Sequence, residues 1–94
     1  MRAAKVDDNQ AEIVRALRQA GATVKALHAV GDDFPDLAVG YRGKTYLLEI
    51  KDGNKPPSRR KLSPGQQEFQ ASWRGHKAVV ISVDEALKEI GAIR

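Results

Sequence analysis

The sequence has no cysteine, a single methionine and two histidines, and aromatic residues make up only 5% of its 94 residues. The lack of cysteine excludes disulfide bonds, thiolate zinc sites and cysteine nucleophiles, and it agrees with a reducing compartment. The longest apolar runs are far shorter than the roughly 20 residues of a membrane span, and the N-terminus lacks a signal-peptide core. No phosphate-binding glycine loop, nucleophilic serine motif or zinc-ligand spacing is present. We therefore expect a soluble, intracellular protein.

The net charge is small but unevenly placed along the chain. Sixteen Lys and Arg against twelve Asp and Glu give a formal net charge of +4 at pH 7. Residues 51–61 contain five basic residues and one acidic residue, so this stretch alone accounts for the surplus. A charge run is usually a solvated surface, but a basic loop also suits the phosphates of a nucleic acid. The residues that we predict to contact DNA phosphates are Lys55, Arg59, Arg60 and Lys61.

Secondary-structure signals predict one small α/β (α+β) domain over residues 1–94, with the element order αβββαβα. The expected helices cover residues 9–20, a stretch that begins at 63–64, and a last stretch from 82 to about 91. The expected strands cover residues 23–30, 36–41, 44–51 and 77–82. In the second helix, the helical spacing of Phe69 and Trp73 predicts that both side chains pack in the core.

Two acidic side chains come together if the second and third strands form a hairpin. A two-residue turn at residues 42–43 is the shortest connection, and in that register Asp36 lies opposite Glu49. Directly opposed Cβ atoms are roughly 4.5 to 5.5 Å apart, and like charges placed so destabilise a sheet unless something compensates. Because side chains alternate between faces, Lys51 lies on the same face as Glu49. A shift of one residue in the register would separate the two acids.

A divalent cation would compensate the paired carboxylates. Asp36 and Glu49, with the backbone carbonyl of Ile50 as a further candidate ligand, suit an oxygen-preferring ion such as Mg²⁺ or Mn²⁺. The ammonium group of Lys51 beside such an ion can orient or deprotonate a water, or offset charge on a phosphate. The alternative is that both acids are ordinary charges at strand ends, with Lys51 as a surface partner. Asp32 and Asp33 are interpreted as loop acids, with contact to a metal as their alternative.

These motifs resemble the PD-(D/E)XK nuclease superfamily. The resemblance rests on Pro35-Asp36, followed across a hairpin by Glu49-Ile50-Lys51. Within the superfamily, the segments "FPDLAVGYRGKTYLLEIKDG", "LSPGQ" and "SVDEAL" are similar to the stand-alone VRR-NUC domains of phages and bacteria. The match covers roughly residues 9–90. It implies a restriction-endonuclease-like core, in which a central mixed sheet is flanked by helices, and a cytoplasmic location in a bacterium or a phage-infected host.

The resemblance also implies roles for individual residues. It assigns Asp36 and Glu49 as metal ligands and Lys51 as the catalytic lysine. Glu12 matches the acid that many members carry on the first helix, where it joins the water shell of the metal. Gln66 matches a glutamine that the family places near the site.

Both of the last two assignments have a structural alternative. Asn9 and Glu12 have the spacing of a capping box at the start of the first helix, in which case Glu12 would serve only the helix. Ser63 and Gln66 have the same spacing at the start of the second helix. The sequence leaves both alternatives open.

The function implied by the resemblance is a Mg²⁺- or Mn²⁺-dependent DNA endonuclease. Its implied substrate is branched DNA such as a Holliday junction, and two symmetric cuts at a junction call for a homodimer. No membrane partner or small-molecule cofactor is expected. Two other readings remain: a nucleic-acid-binding module with the same fold that does not cleave, and a domain whose basic loop docks a protein partner.

Overall fold

The predicted order of elements is confirmed in a computed structural model, which describes residues 7–94. The helices are α1 (Gln10–Gln19), α2 (Pro64–Ser72) and α3 (Val83–Glu89). The strands are β1 (Thr23–Ala26), β2 (Leu37–Tyr41), β3 (Lys44–Ile50) and β4 (Lys77–Val80). A 3-10 turn, Pro57–Arg59, lies in the stretch of basic residues after Lys51, residues 52–61, which is called the basic segment below. Within residues 7–94, every helix is too short or too polar to cross a membrane.

The four strands form a mixed sheet in the order β1-β2-β3-β4. The first three strands are antiparallel, whereas β4 runs parallel to β3. Between β2 and β3, Arg42 has φ 50° and Gly43 has φ 80°, which are the positive values of a tight two-residue hairpin turn. This turn pairs Leu37 with Leu48. The predicted register is therefore confirmed, and one residue further along it sets Asp36 opposite Glu49.

The core lies on the face of the sheet that does not carry Glu49. Alternate residues of β2 and β3 point into it, as predicted, and α1 and α3 cover them. The fully buried side chains of this core are Ile13, Leu17, Leu37, Val39, Leu48, Ile50 and Ala86. Burying one large aliphatic side chain stabilises a fold by about 1.5–3 kcal/mol. This apolar face therefore fixes β3, and with it the direction in which Glu49 points.

The first strand is shorter than predicted. The prediction of a strand over 23–30 is wrong beyond Ala26, where β1 ends. The backbone N–H of Leu27 still donates to the carbonyl of Asp36, at 2.8 Å, but Val30 then donates back to Leu27 at 2.9 Å and closes a turn. This turn and the positive φ values of the residues that follow it, Gly31, Asp32 and Asp33, take the chain away from β2.

The aromatic residues of α2 do not join the core. The prediction that Trp73 is a core residue is wrong, because its side chain is 40% exposed. It stacks on Phe69 with ring centroids 5.0 Å apart, and Phe34 meets the two rings edge-on at 5.2 and 5.8 Å. The helical spacing identified the apolar side of α2 correctly. That side packs on a loop residue instead of the sheet, so no residue of α2 is fully buried.

Candidate functional site

Two carboxyl groups meet where β2 begins and β3 ends. Glu49 is only 3% exposed, although it is an acidic residue. Asp36 precedes β2, at the position opposite Glu49 in the strand register, and its carboxyl is close enough to raise the pKa of Glu49. The Oδ2 atom of Asp36 also accepts the backbone N–H of Ile50, at 2.7 Å. This bond takes the place of a ladder bond past the end of β2, and it holds the Asp36 carboxyl against β3.

Glu49 has unusual acid–base properties. Burial is the largest cause of a raised pKa at Glu49, and the hydrogen bond and negative charge of Asp36 add to it, so that the pKa rises to about 9. The positive charge of Lys51 opposes this shift. Removing an ionised carboxylate from water costs several kcal/mol, whereas a hydrogen bond to a charged group returns about 1.5–3 kcal/mol. The pair therefore needs a proton or a cation, and Lys51 alone does not suffice.

The third predicted residue, Lys51, lies beside the pair as the alternation of the strand requires. Its Nζ donates to Oε1 of Gln66 at 2.9 Å. The side-chain amide of the same glutamine donates to Oε2 of Glu49 at 3.2 Å. Gln66 thus connects the lysine to one of the acids, and it fixes the ammonium group next to the carboxyl pair.

Gln66 caps α2, as the structural alternative predicts, and it also lies beside Lys51 and Glu49. The backbone N–H of Ser63 donates to Oε1 of Gln66 at 2.9 Å, and the backbone N–H of Gln66 donates to Oγ of Ser63 at 3.1 Å. These two bonds complete the predicted capping box at the start of α2. Because Oε1 also receives Lys51, the helix cap and the candidate site share one side chain.

The predicted capping box at α1 is wrong, and Asn9 has a different role. Its side chain makes no cap hydrogen bond. Instead, the Asn9 amide donates to the carbonyl of Lys51 at 3.1 Å and to the carbonyl of Ile81 at 3.2 Å. Asn9 thereby connects the residue that follows β3 with the residue that follows β4. An asparagine at a helix start is typical of an N-cap, so the sequence contained no signal for this contact.

The acid nearest to the pair from the α1 region is Asp7, which the sequence analysis did not identify. Its charge contributes to the raised pKa of Glu49. The pKa of Asp7 is itself raised, first by burial and then by the charge of Asp36, although Lys51 lowers it. Glu12 is exposed. Among residues 7–94, no three Asp, Glu or His side chains are grouped closely enough to hold a metal ion, so Glu12 is not brought together with the pair.

The basic segment follows Lys51 directly, and its cations are not equivalent. Lys55 lies 3.9 Å from a carboxylate oxygen of Asp8, and its carbonyl accepts Nε of Arg60 at 3.0 Å. Arg60 therefore helps to shape the loop. Arg59 and Lys61 are exposed, and we find no contact for their side chains within the described part of the chain. The structure leaves these two cations open to solvent.

The fold agrees with one comparison among known proteins. Neither a protein-family model nor a curated protein matches the sequence. A solved structure described as a VRR_NUC domain superposes with a TM-score of 0.63 and 26% sequence identity. The alignment covers 84% of this chain and 86% of that chain.

The chain is similar to a VRR_NUC domain over most of its length. The family resemblance and the fold that were predicted from the sequence are thereby confirmed. The metal-binding and catalytic roles of individual residues, and the role of the Ile50 carbonyl, stay predictions.

Proposed function

We propose that this VRR-NUC-like domain is a divalent-metal-dependent DNA endonuclease that hydrolyses phosphodiester bonds. The observation that carries the proposal is the buried Glu49 beside the half-buried Asp36, with the ammonium group of Lys51 held next to them by Gln66. A purely structural role is a poor explanation for this arrangement, because two acids side by side, one of them buried, destabilise the fold. Sites that perform chemistry are where such arrangements recur.

The donor set fits Mg²⁺ or Mn²⁺. Asp36 and Glu49 supply two hard carboxylate oxygens, the Ile50 carbonyl is a candidate third ligand, and Mg²⁺ typically binds one or two carboxylates and keeps several waters. A bound divalent ion lowers the pKa of water and neutralises charge on a phosphate. The negative charge of Asp7 near the pair adds to the attraction for a divalent cation.

Lys51 supplies a positive charge and hydrogen-bond donors for the reaction. An ammonium group has three N–H donors, and Gln66 takes one of them, so two remain for a water or a phosphate oxygen. In hydrolysis, a water oxygen bonds to phosphorus and the bond from phosphorus to one sugar oxygen breaks. The Lys51 charge offsets the negative charge that builds up on the phosphate during this step. Gln66 fixes the lysine in the position from which it can act.

The basic segment supplies contacts to the DNA backbone. Arg59 and Lys61 are exposed and suit phosphates, which positions the substrate without reading its sequence. Lys55 and Arg60 shape the loop and add positive charge.

The finer proposal is that the substrate is branched DNA, with a four-way Holliday junction as the leading candidate. A junction needs two symmetric incisions, and one small site makes only one at a time. A homodimer supplies both sites in a symmetric arrangement. Light scattering of the purified protein should give the mass of two chains, and the mass of one chain would remove this part of the proposal.

A cleavage assay tests the proposed function. Purified protein is incubated with labelled linear, flapped and four-way DNA in Mg²⁺, Mn²⁺ or EDTA, and cutting is expected only with a divalent ion. We expect Lys51→Ala to lower the cleavage rate by about 10²–10³-fold, the usual range for losing one group that stabilises charge in the transition state, with DNA affinity largely retained. Lys44→Ala removes the same side chain from the other end of β3 and serves as the control.

The outcomes of this assay separate the three readings of the sequence. Undiminished cutting by Lys51→Ala would remove the catalytic assignment of that residue. Wild-type protein that binds DNA but never cuts it would be a binding module. Protein that neither cuts DNA nor binds it through the basic segment would be a protein-docking domain.

A further inference from the structure

The loop that precedes Asp36 contacts the start of α2. The hydroxyl of Ser63 donates to Oδ1 of Asp33 at 3.2 Å. The other carboxylate oxygen of Asp33 lies against Gly65, so closely that a Cβ atom at residue 65 would overlap it. Asp33 therefore fills the space that a side chain at residue 65 would need. Its negative charge lies at the N-terminus of α2, where the helix dipole favours an anion.

This contact continues into the candidate site. Ser63, which binds Asp33, forms the capping box with Gln66. Gln66 then binds Lys51 through its oxygen and Glu49 through its nitrogen, at 2.9 and 3.2 Å. A continuous series of hydrogen bonds thus runs from the Asp33 loop, through the first turn of α2, to the lysine and the acid.

The second helix has few other attachments that could hold its first turn in place. No residue of α2 is fully buried, and the aromatic contacts of Phe69 and Trp73 with Phe34 involve its later turns. Phe34 belongs to the same loop as Asp33. Asp33 itself has φ 59°, a left-handed conformation that is uncommon for residues other than glycine. An unfavourable backbone conformation is kept where the surrounding structure requires it.

We propose that Asp33 is a positioning residue for the nuclease site, which acts through Ser63 and Gln66 on Lys51 and Glu49. This inference rests on the proposed function and deepens it. Asp33 touches neither the acid pair nor a reacting group. It fixes the first turn of α2, and that turn sets where the Lys51 ammonium group lies relative to the carboxyl pair.

The first test compares two neighbouring aspartates. Asp33→Ala should lower kcat by about tenfold or more, as expected when the group that orients an active residue is lost, while KM for DNA stays within a factor of two or so. Asp32→Ala is the matched control, because Asp32 has φ 53° and suffers the same backbone strain in alanine but has no such contact with α2. Asp33→Asn keeps an oxygen that can accept the Ser63 hydroxyl and should restore part of the activity. Equal losses in Asp33→Ala and Asp32→Ala would overturn the proposal.

The second test disrupts the contact between Asp33 and α2 by a substitution in α2. Gly65→Ala adds a methyl group where the Asp33 carboxylate lies, although alanine has the higher helix propensity. We expect kcat to fall about tenfold here too, without loss of thermal stability. In the Asp33→Ala background the carboxylate is gone and the methyl group meets only the remaining Cβ of residue 33, at 3.0 Å, so the double variant should be no slower than either single variant. Losses that multiply in the double variant would contradict a shared mechanism.

A measurement without catalysis separates this inference from the proposed function. In nuclear magnetic resonance spectra, the side-chain amide signals of Gln66 report whether it remains bound to Glu49. They should shift in Asp33→Ala and in Gly65→Ala, and should keep their positions in Asp32→Ala. If the wild-type protein cuts no DNA but these signals shift as described, the nuclease proposal fails and the positioning role of Asp33 stands. Unmoved signals in both variants would overturn the positioning role.

Discussion

At the scale of single residues, Glu49 is the side chain whose surroundings determine most of the chemistry. It is almost fully buried on the outer side of a strand whose other side forms the core. Burial and Asp36 raise its pKa to about 9, so near neutral pH and without metal it keeps a proton that water would remove. A carboxyl held in this state exchanges its proton for a cation readily, which is what a metal site requires.

The raised pKa predicts how stability depends on pH. Between the ordinary value of 4.5 and about 9, the folded protein holds a proton that the unfolded chain releases. Stability without metal should therefore be highest at the low end of this window and should fall as pH rises through it. Glu49→Gln removes the titrating group, so the slope of stability against pH should become flatter. Urea unfolding from pH 5 to 9 measures both proteins, and identical slopes would contradict the burial described here.

Residue contacts could be predicted only where they follow from strand pairing. The meeting of Asp36, Glu49 and Lys51 depends on one local turn and on the alternation of a strand, and both can be read from the sequence. Asn9 binds carbonyls that lie 42 and 72 residues away, and Asp33 binds a hydroxyl 30 residues away. Such contacts depend on how whole elements pack, which no local pattern specifies.

At the scale of elements, helix starts were more predictable than the surfaces on which helices pack. The capping box of α2 is confirmed. It was predictable from the sequence because all of its atoms lie within four residues of the chain. The position of its aromatic side depends on the loop at Phe34 and on the polar character of the Glu49 face, neither of which the helical spacing reveals. The length of β1 was overestimated because its end depends on the turn at residues 27–30 and on the positive φ values at residues 31–33, which an alternating pattern does not reveal.

The basic segment yields a prediction about salt. If Arg59 and Lys61 each contact one phosphate, replacing both by alanine should lower the slope of log affinity against log salt by about 1.8, since each contact contributes about 0.9. Arg15→Ala with Lys25→Ala removes the same charge from α1 and β1 and should leave the slope nearly unchanged. Filter binding to one duplex at several salt concentrations gives the slopes. An unchanged slope in the Arg59 and Lys61 variant would mean that the segment is only a solvated surface.

At the scale of the whole molecule, the topology brings the acid pair of the hairpin and Gln66 of α2 to the same place. The hairpin brings the acids together, and the crossover through α2 carries Gln66 to them before the chain enters the parallel strand β4. The order of elements was predictable, because each has its own cap, turn or periodicity. The parallel pairing of β3 with β4 was available only from the family resemblance, since parallel neighbours are joined by a long crossover that local signals do not describe.

The central claim is that Asp36 and Glu49 share a divalent cation, and calorimetric titration with Mn²⁺ tests it most directly. In two buffers of different ionisation enthalpy near pH 7, with DNA whose backbone linkages resist hydrolysis, the wild-type protein should show saturable uptake accompanied by proton release, because Glu49 must lose its proton to become a ligand. Glu49→Gln should bind more weakly and release fewer protons. A wild-type protein that takes up no Mn²⁺ under these conditions would contradict the claim.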